Sequence, residues 1–393
     1  WFTAVASVWI DDLSIERIEP PAQANIIPDI GSKNLLPNSS FECGPDRWIS
    51  AGHRRLFGEV VEEEAVHGSH CMKVAWRRED APVFSFDYYD MRREAYTRPA
   101  ITSEGWMRLE EGGQYVLSAW LRADREVLCH LRAIGPSRQY AGTKVTLSTD
   151  WRRFEMPFTA AEDLCFVQVD VDCDEAGVDE LTYWMDAVQV EKGQEATDYA
   201  TRRPIEVGVH PLNGTGIFID EEPTALVTFF NNGPEAAEAA FTTSCTDGFD
   251  RTEFVTDHTL EIPAGRSASM REGFPLRLPF CRATWSGEQF DDRSLRLASL
   301  PEINLGESPF GINHAYGWDP YVVMAQRLGI EWARDWSLKW DHVEPEPGQW
   351  DFAMAEYQID RPLDLGTHVL CMLPFPSAEW SSTAPPLEEV PEE

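Results

Sequence analysis

The chain has 393 residues, 43% of them hydrophobic and 25% charged, a globular composition long enough for two to three domains of about 150 residues. Its 67 Asp and Glu against 33 Lys and Arg give a formal charge of −34, which repels phosphate backbones and anionic lipid and sets nucleic acid aside as a partner. No apolar run approaches the roughly 18 residues of a membrane-crossing helix, so no membrane insertion is expected. Eight Cys without a C-x-x-C pair argue against a disulfide scaffold and a zinc ribbon.

Trp1 opens an apolar stretch with no basic n-region and no small-residue cleavage site, so the start reads as a cut through a domain. The run Val8-Trp9-Ile10-Asp11-Asp12-Leu13-Ser14-Ile15-Glu16 recurs in step as Tyr183-Trp184-Met185-Asp186-Ala187-Val188-Gln189-Val190-Glu191. Each copy alternates with period two after its Asp, as a half-buried strand does, and recurrence at this spacing implies tandem modules. Residues 1–19 are then the last strand of a preceding jelly-roll module, and residues 20–32, with Pro20-Pro21, are a linker.

Residues 33–200 carry short alternating stretches at Cys71–Trp76, Tyr115–Arg122, Val127–Ile134, Lys144–Leu147, Arg153–Phe158 and Cys165–Val171. About eight to ten such strands predict a jelly-roll β-sandwich. Residues 204–300 repeat the rhythm, with strands at Ala225–Phe230, Thr259–Ile262 and Leu276–Trp285 and turns at Asn231-Asn232-Gly233-Pro234 and Pro263-Ala264-Gly265. This predicts an immunoglobulin-like β-sandwich acting as a spacer. Cys245 and Cys281 fall in it either as a disulfide or as buried free thiols.

From residue 301 to 393 the pattern turns to strand–helix alternation. Strands at Pro309–Asn313, Ile330–Trp336 and Thr367–Leu373 are separated by a helix opening at Asp319-Pro320 and another from Asp351 to Ile359, limited by Pro362. That order predicts a parallel sheet. The fold class is mainly β: a jelly roll, an immunoglobulin-like sandwich, then the truncated start of a (β/α)8 barrel.

Residues 33–200 resemble the CenC-like carbohydrate-binding modules. The resemblance rests on Asn34-Leu35-Leu36-Pro37-Asn38-Ser39-Ser40-Phe41-Glu42, Gly68-Ser69-His70-Cys71-Met72-Lys73-Val74, Tyr115-Val116-Leu117-Ser118-Ala119-Trp120, Asp150-Trp151-Arg152-Arg153-Phe154 and the closing strand at Trp184–Glu191. It implies a structural Ca²⁺ between the N-terminal segment and the last strand, with Glu42 and Asp186 as carboxylate ligands; that ion needs hard oxygen donors, and two carboxylates plus backbone carbonyls could clip both ends of the domain together. The bland alternative is a strand-end cap at Asp186 and a solvated Glu42.

A polysaccharide or oligosaccharide ligand needs aromatic faces flanked by polar groups. Tyr88, Tyr89 and Trp106 stand in loop-like context and are the candidate rings, whereas Phe84 and Phe86 alternate as core residues do. Trp120 and Trp151, at strand positions, read as core.

The last segment resembles the opening of a clan A glycoside hydrolase barrel. It carries Phe310-Gly311-Ile312-Asn313-His314, then Gly329-Ile330-Glu331-Trp332-Ala333-Arg334-Asp335-Trp336, then Trp340, Glu344-Pro345 and Gly348-Gln349-Trp350-Asp351-Phe352, and Trp380 after the third strand. The resemblance implies O-glycosyl hydrolysis by two carboxylates on the fourth and seventh strands. Both lie outside this chain, so no catalytic residue is assigned and the chain alone is expected to be inactive. His314, Arg334, Trp336 and Trp380 follow strand C-termini, where barrels build their sites, and are candidate pocket walls. An ion pair for Arg334 and simple packing for His314 are the alternatives.

The chain reads as the binding and partial catalytic region of an exported, polysaccharide-degrading glycoside hydrolase, extracellular or at the cell surface. The rival is a surface or adhesive protein whose jelly rolls only pack against neighbours.

Overall fold

The structure is a computed structural model. It describes residues 25–51, 58–78, 84–86, 91–93, 97–276, 279–301, 308–313, 322, 325–335 and 338–372. The expected strand at 1–19 and the residues Tyr88, Tyr89, His314, Trp336 and Trp380 lie outside them.

The chain is mainly β, as its alternating stretches require. The first sandwich packs two sheets face to face. The smaller runs, in spatial order, Arg152–Thr159, Gln114–Ala123, Glu180–Lys192, Cys71–Arg77 and Gly58–Val61, all antiparallel. The larger runs Ile26–Ile27, Trp106–Arg108, Leu164–Asp170, Val127–Ile134 and Gln139–Leu147, with Ala100–Ser103 and Trp48–Ala51 extending it beside Leu164–Asp170. Alternation sets the faces: Val127, Cys129, Leu131 and Ala133 are buried between the sheets, while Leu128, His130, Arg132 and Ile134 look outward. Trp76, Tyr115, Tyr183 and Phe41 are the largest fully buried rings of this sandwich.

Three readings of the sequence change here. Ile26–Ile27, inside the expected linker, pairs in parallel with Trp106–Met107 and so belongs to the larger sheet. Trp106 therefore sits in a strand, entered through Gly105 at φ 95°, where a Cβ would stand 2.9 Å from the Asn25 carbonyl oxygen. Trp120 and Trp151 are half-buried and outside the core cluster. They lie over the outer face of the smaller sheet, where the Arg122 guanidinium stacks 5.1 Å from the Trp151 ring and 4.5 Å from that of Trp184. The strand Gln114–Ala123 buries Val116 and Ser118 on its outer side as well, so alternation alone could not tell the core face.

The second sandwich pairs Ile205–Pro211, Thr224–Asn231 and Arg266–Gly273 in one sheet. The other holds Ile217–Ile219, Arg293–Leu300, Phe280–Ser286, Ala237–Asp247 and Thr252–Ile262. Between them Glu272 ties the sheets together: its carboxylate accepts from Trp285 Nε1 at 2.8 Å and Thr243 Oγ1 at 3.0 Å, and lies 3.0 Å from His258 Nε2. Cys245 and Cys281 are buried free thiols.

Beyond residue 308, Gly311–Asn313, Trp332–Asp335 and His368–Cys371 form a parallel sheet in that order. Asp351 accepts from the Ala353 N–H and opens the helix Ala353–Asp364. The helix runs past its expected end at Ile359 with Pro362 inside it. Pro362 stands in the last turn, where its missing N–H costs one bond and its ring leaves only a short helical stretch to continue. The barrel expectation goes no further than these three parallel strands among the described residues.

Candidate functional site

The outer face of the larger sheet carries a wired row of polar side chains. In the strands Val127–Ile134 and Leu164–Asp170, His130 stands opposite Asp170, Arg132 opposite Gln168 and Ile134 opposite Phe166. Arg132 Nε donates to Asp170 Oδ2 at 2.6 Å, and Gln168 Nε2 donates to the same oxygen at 3.1 Å. Arg132 Nη1 reaches Gln139 Oε1 at 3.0 Å. Its Nη2 donates to His130 Nδ1 at 2.7 Å, which leaves the imidazole proton on Nε2, 3.3 Å from Glu175 Oε2. Lys144 completes the row by bonding Glu175, and Arg98 bridges Asp170 and Asp172.

Asp170 is fully buried and Arg132 is 17% exposed. The carboxylate therefore fixes the guanidinium from below, and the guanidinium edge, Gln168 and the exposed Gln139 are what a ligand can reach. Burying one end of such a pair holds the other without rotamer freedom, the condition for recognising hydroxyl groups at fixed positions.

Trp106 closes one end of the row. Its ring meets Phe166 edge-on, with centroids 5.1 Å apart, and both are half-buried. Of the rings singled out in the sequence it is the one the structure describes, and it shares the outer face with the polar row. The row itself was missed. Its signal was polar side chains at every second position of two strands, His130 and Arg132 in one, Gln168 and Asp170 in the other.

The two expected metal ligands lie elsewhere, over the smaller sheet. Glu42 Oε1 accepts the Ser69 and His70 N–H groups, each at 2.7 Å, and Oε2 takes Ser69 Oγ at 3.2 Å and faces His70 Nδ1 at 3.1 Å. Burial works to raise this carboxyl, but the His70 bond and the two amides hold it below its ordinary value. Asp186 Oδ2 accepts Val66 and His67 N–H at 2.6 and 2.9 Å, and Oδ1 accepts Ala187 N–H at 2.6 Å. Burial pushes Asp186 up to about 7 against those three donors.

Three donors on Glu42, the Ser69 and His70 amides and Ser69 Oγ, and three amides on Asp186 thus present the positive ends of N–H or O–H bonds, which a cation would oppose. No group of three His, Cys, Asp or Glu suited to a metal occurs among the described residues. These residues do not fit a Ca²⁺ ion as they stand; they form an amide clip that fastens residues 66–70 to the N-terminal segment and the last strand. Thermal unfolding of the full chain is accordingly expected to be the same in millimolar Ca²⁺ and in chelator, whereas a Ca²⁺-dependent rise in Tm lost in Asp186→Asn would restore the metal.

In the parallel sheet, Arg334 shares the face of Trp332 and Leu370, and Asp335 points with Ala333 to the buried side. A cleft of about 550 Å³ lies along that first face between Asn313, Trp332, Arg334 and Leu370.

No protein-family model and no curated protein matches the sequence. Among solved structures, a family 16 carbohydrate-binding module is similar over 40% of this chain and 100% of its own, at 16% identity and a TM-score of 0.29. A family 61 module solved with β-1,4-galactotriose is similar over 41% and 100%, at 16% identity and 0.31. A Bacteroides uniformis β-glucuronidase is similar over 77% of this chain at 11% identity and 0.24, and the chain spans 42% of that enzyme. Likenesses this low in TM-score carry no weight, and the sandwich stands on its own strand pairing.

Proposed function

We propose that the first sandwich is a carbohydrate-binding module whose site is the outer face of the larger sheet. The observation that supports this best is the largely buried Arg132–Asp170 pair, edged by Gln168 and the exposed Gln139, beside the Trp106–Phe166 wall. Each cation of the row is bonded to a carboxylate: Arg132 to Asp170, Arg98 to Asp172, Lys144 to Glu175. A row so neutralised, on a chain of charge −34, favours an uncharged glycan over a uronate polymer.

The finer reading is that this module serves a glycoside hydrolase, exported to meet its polymer, with the catalytic carboxylates outside this chain. The βαβ order after residue 308 and Arg334 at the end of the second strand support it. A non-catalytic surface protein is the second reading, favoured by the half-buried state of both Trp106 and Phe166.

Affinity electrophoresis of the full chain over neutral and acidic polysaccharides separates the two. Retardation by a neutral glycan, and none by an acidic one, is the expected result. Migration unchanged in every gel leaves a packing domain.

A further inference from the structure

We propose that the two sandwiches form one rigid body, with the second a fixed part of the module and not a spacer. The proposal stands on the junction alone and does not depend on what the module binds.

The junction is buried and charged. Arg293 of the second sandwich donates through Nε to Asp46 Oδ2 at 2.7 Å and through Nη2 to Oδ1, with the two side chains 12% and 6% exposed. The same Asp46 accepts the Val209 N–H at 3.1 Å. Glu206, in the first strand of the second sandwich, accepts the Asn38 N–H at 2.9 Å. Arg202 is 1% exposed and spans both sides, from Asp291 at 2.6 Å to the Leu35 carbonyl at 3.2 Å. Side chains and amides buried this way are costly to separate, because each partner would be left unpaired or would have to be rehydrated.

Shape adds an independent sign. Gly208 lies so close to the first sandwich that a Cβ there would stand 2.3 Å from the Cys43 carbonyl oxygen and 2.8 Å from Cys43 Cβ. The obstructing atoms are backbone and its first carbon, so they cannot swing aside. A spacer tethered by a flexible segment has no need of a glycine at that point; two surfaces closed on each other do.

The test is hydrogen exchange of the full chain in Arg293→Ala, Arg293→Lys and Gly208→Ala. In a rigid body, Arg293→Ala raises exchange in residues 38–46 and in 205–211 together, by about tenfold or more, and Arg293→Lys recovers part of that protection. Gly208→Ala does the same without touching a charge, and increases the radius of gyration in small-angle scattering. Should Arg293→Ala also loosen Phe280–Ser286, Gly208→Ala decides, since its added methyl points across the junction. Exchange at 38–46 unchanged in Gly208→Ala would overturn the proposal and return the second sandwich to a spacer.

Discussion

Replacing Asp170 by alanine is expected to destabilise the chain by about 3 kcal/mol and to abolish its retardation by a neutral glycan. Asp170 is fully buried and holds Arg132, Gln168 and one edge of Arg98. Its removal leaves Arg132, itself largely buried, without its carboxylate partner and held in the row only by Gln139 and His130. The two effects are separable in Arg132→Gln, which loses the guanidinium but leaves a group able to donate to Asp170. That variant is expected to lie within about 1–2 kcal/mol of the parent in urea unfolding and still to migrate freely through the glycan gel. Full retardation in both variants would place the ligand elsewhere.

The second large effect is a pH dependence set by Glu206. This carboxyl is buried at the junction, with Oε1 on the Asn38 N–H and Oε2 without a hydrogen-bond partner among the described residues. Burial pushes it up to about 8, from an ordinary value of 4.5, against the amides of Asn38 and Arg202. A folded-state value raised above the unfolded one means the folded chain holds the proton more tightly. The associated stability is complete below about pH 4.5, falls by about 1.4 kcal/mol per pH unit as pH rises toward 8, and is flat beyond. Asp186, raised to about 7, adds a slope of the same sign at lower pH. Glu206→Gln keeps the shape and removes the titration, so unfolding free energies measured from pH 5 to 9 are expected to fall less steeply in that variant. Identical slopes in the two proteins would show that Glu206 is ionised in the folded chain near neutrality.

Much of the first sandwich was legible in the sequence because burial on one side of a sheet imposes alternation. Val127–Ile134 and the ends of Cys71–Arg77 and Arg152–Thr159 fall where the pattern put them, within a residue. What alternation cannot give is which strands become neighbours. The row His130, Arg132, Gln168 and Asp170 is readable as two polar half-patterns, but that they meet depends on the pairing of Val127–Ile134 with Leu164–Asp170. Trp120 misled for a related reason: the outer side of its strand is partly covered, so both sides looked apolar.

The junction was invisible for a different cause. Asp46 and Arg293 are 247 residues apart in sequence, and each taken alone is an ordinary surface charge. Gly208 likewise sits in a strand without a turn to explain it, and only the Cys43 carbonyl opposite gives it a role. Glu42 and Asp186 were expected as Ca²⁺ ligands, or else as a solvated acid and a strand-end cap, and both are buried. Their partners proved to be amides, and sequence spacing does not distinguish a carboxylate that receives N–H groups from one that receives a cation.

The most direct measurement is a comparison of the two outer faces of the first sandwich in one glycan gel. Trp106→Ala strips the wall of the polar row, and Trp184→Ala strips the ring stacked on Arg122 over the other sheet. Retardation by a neutral polysaccharide is expected to disappear in Trp106→Ala and to persist in Trp184→Ala, both variants being folded by circular dichroism. Loss in Trp184→Ala with full retardation in Trp106→Ala would contradict the assignment and move the binding face to the opposite sheet.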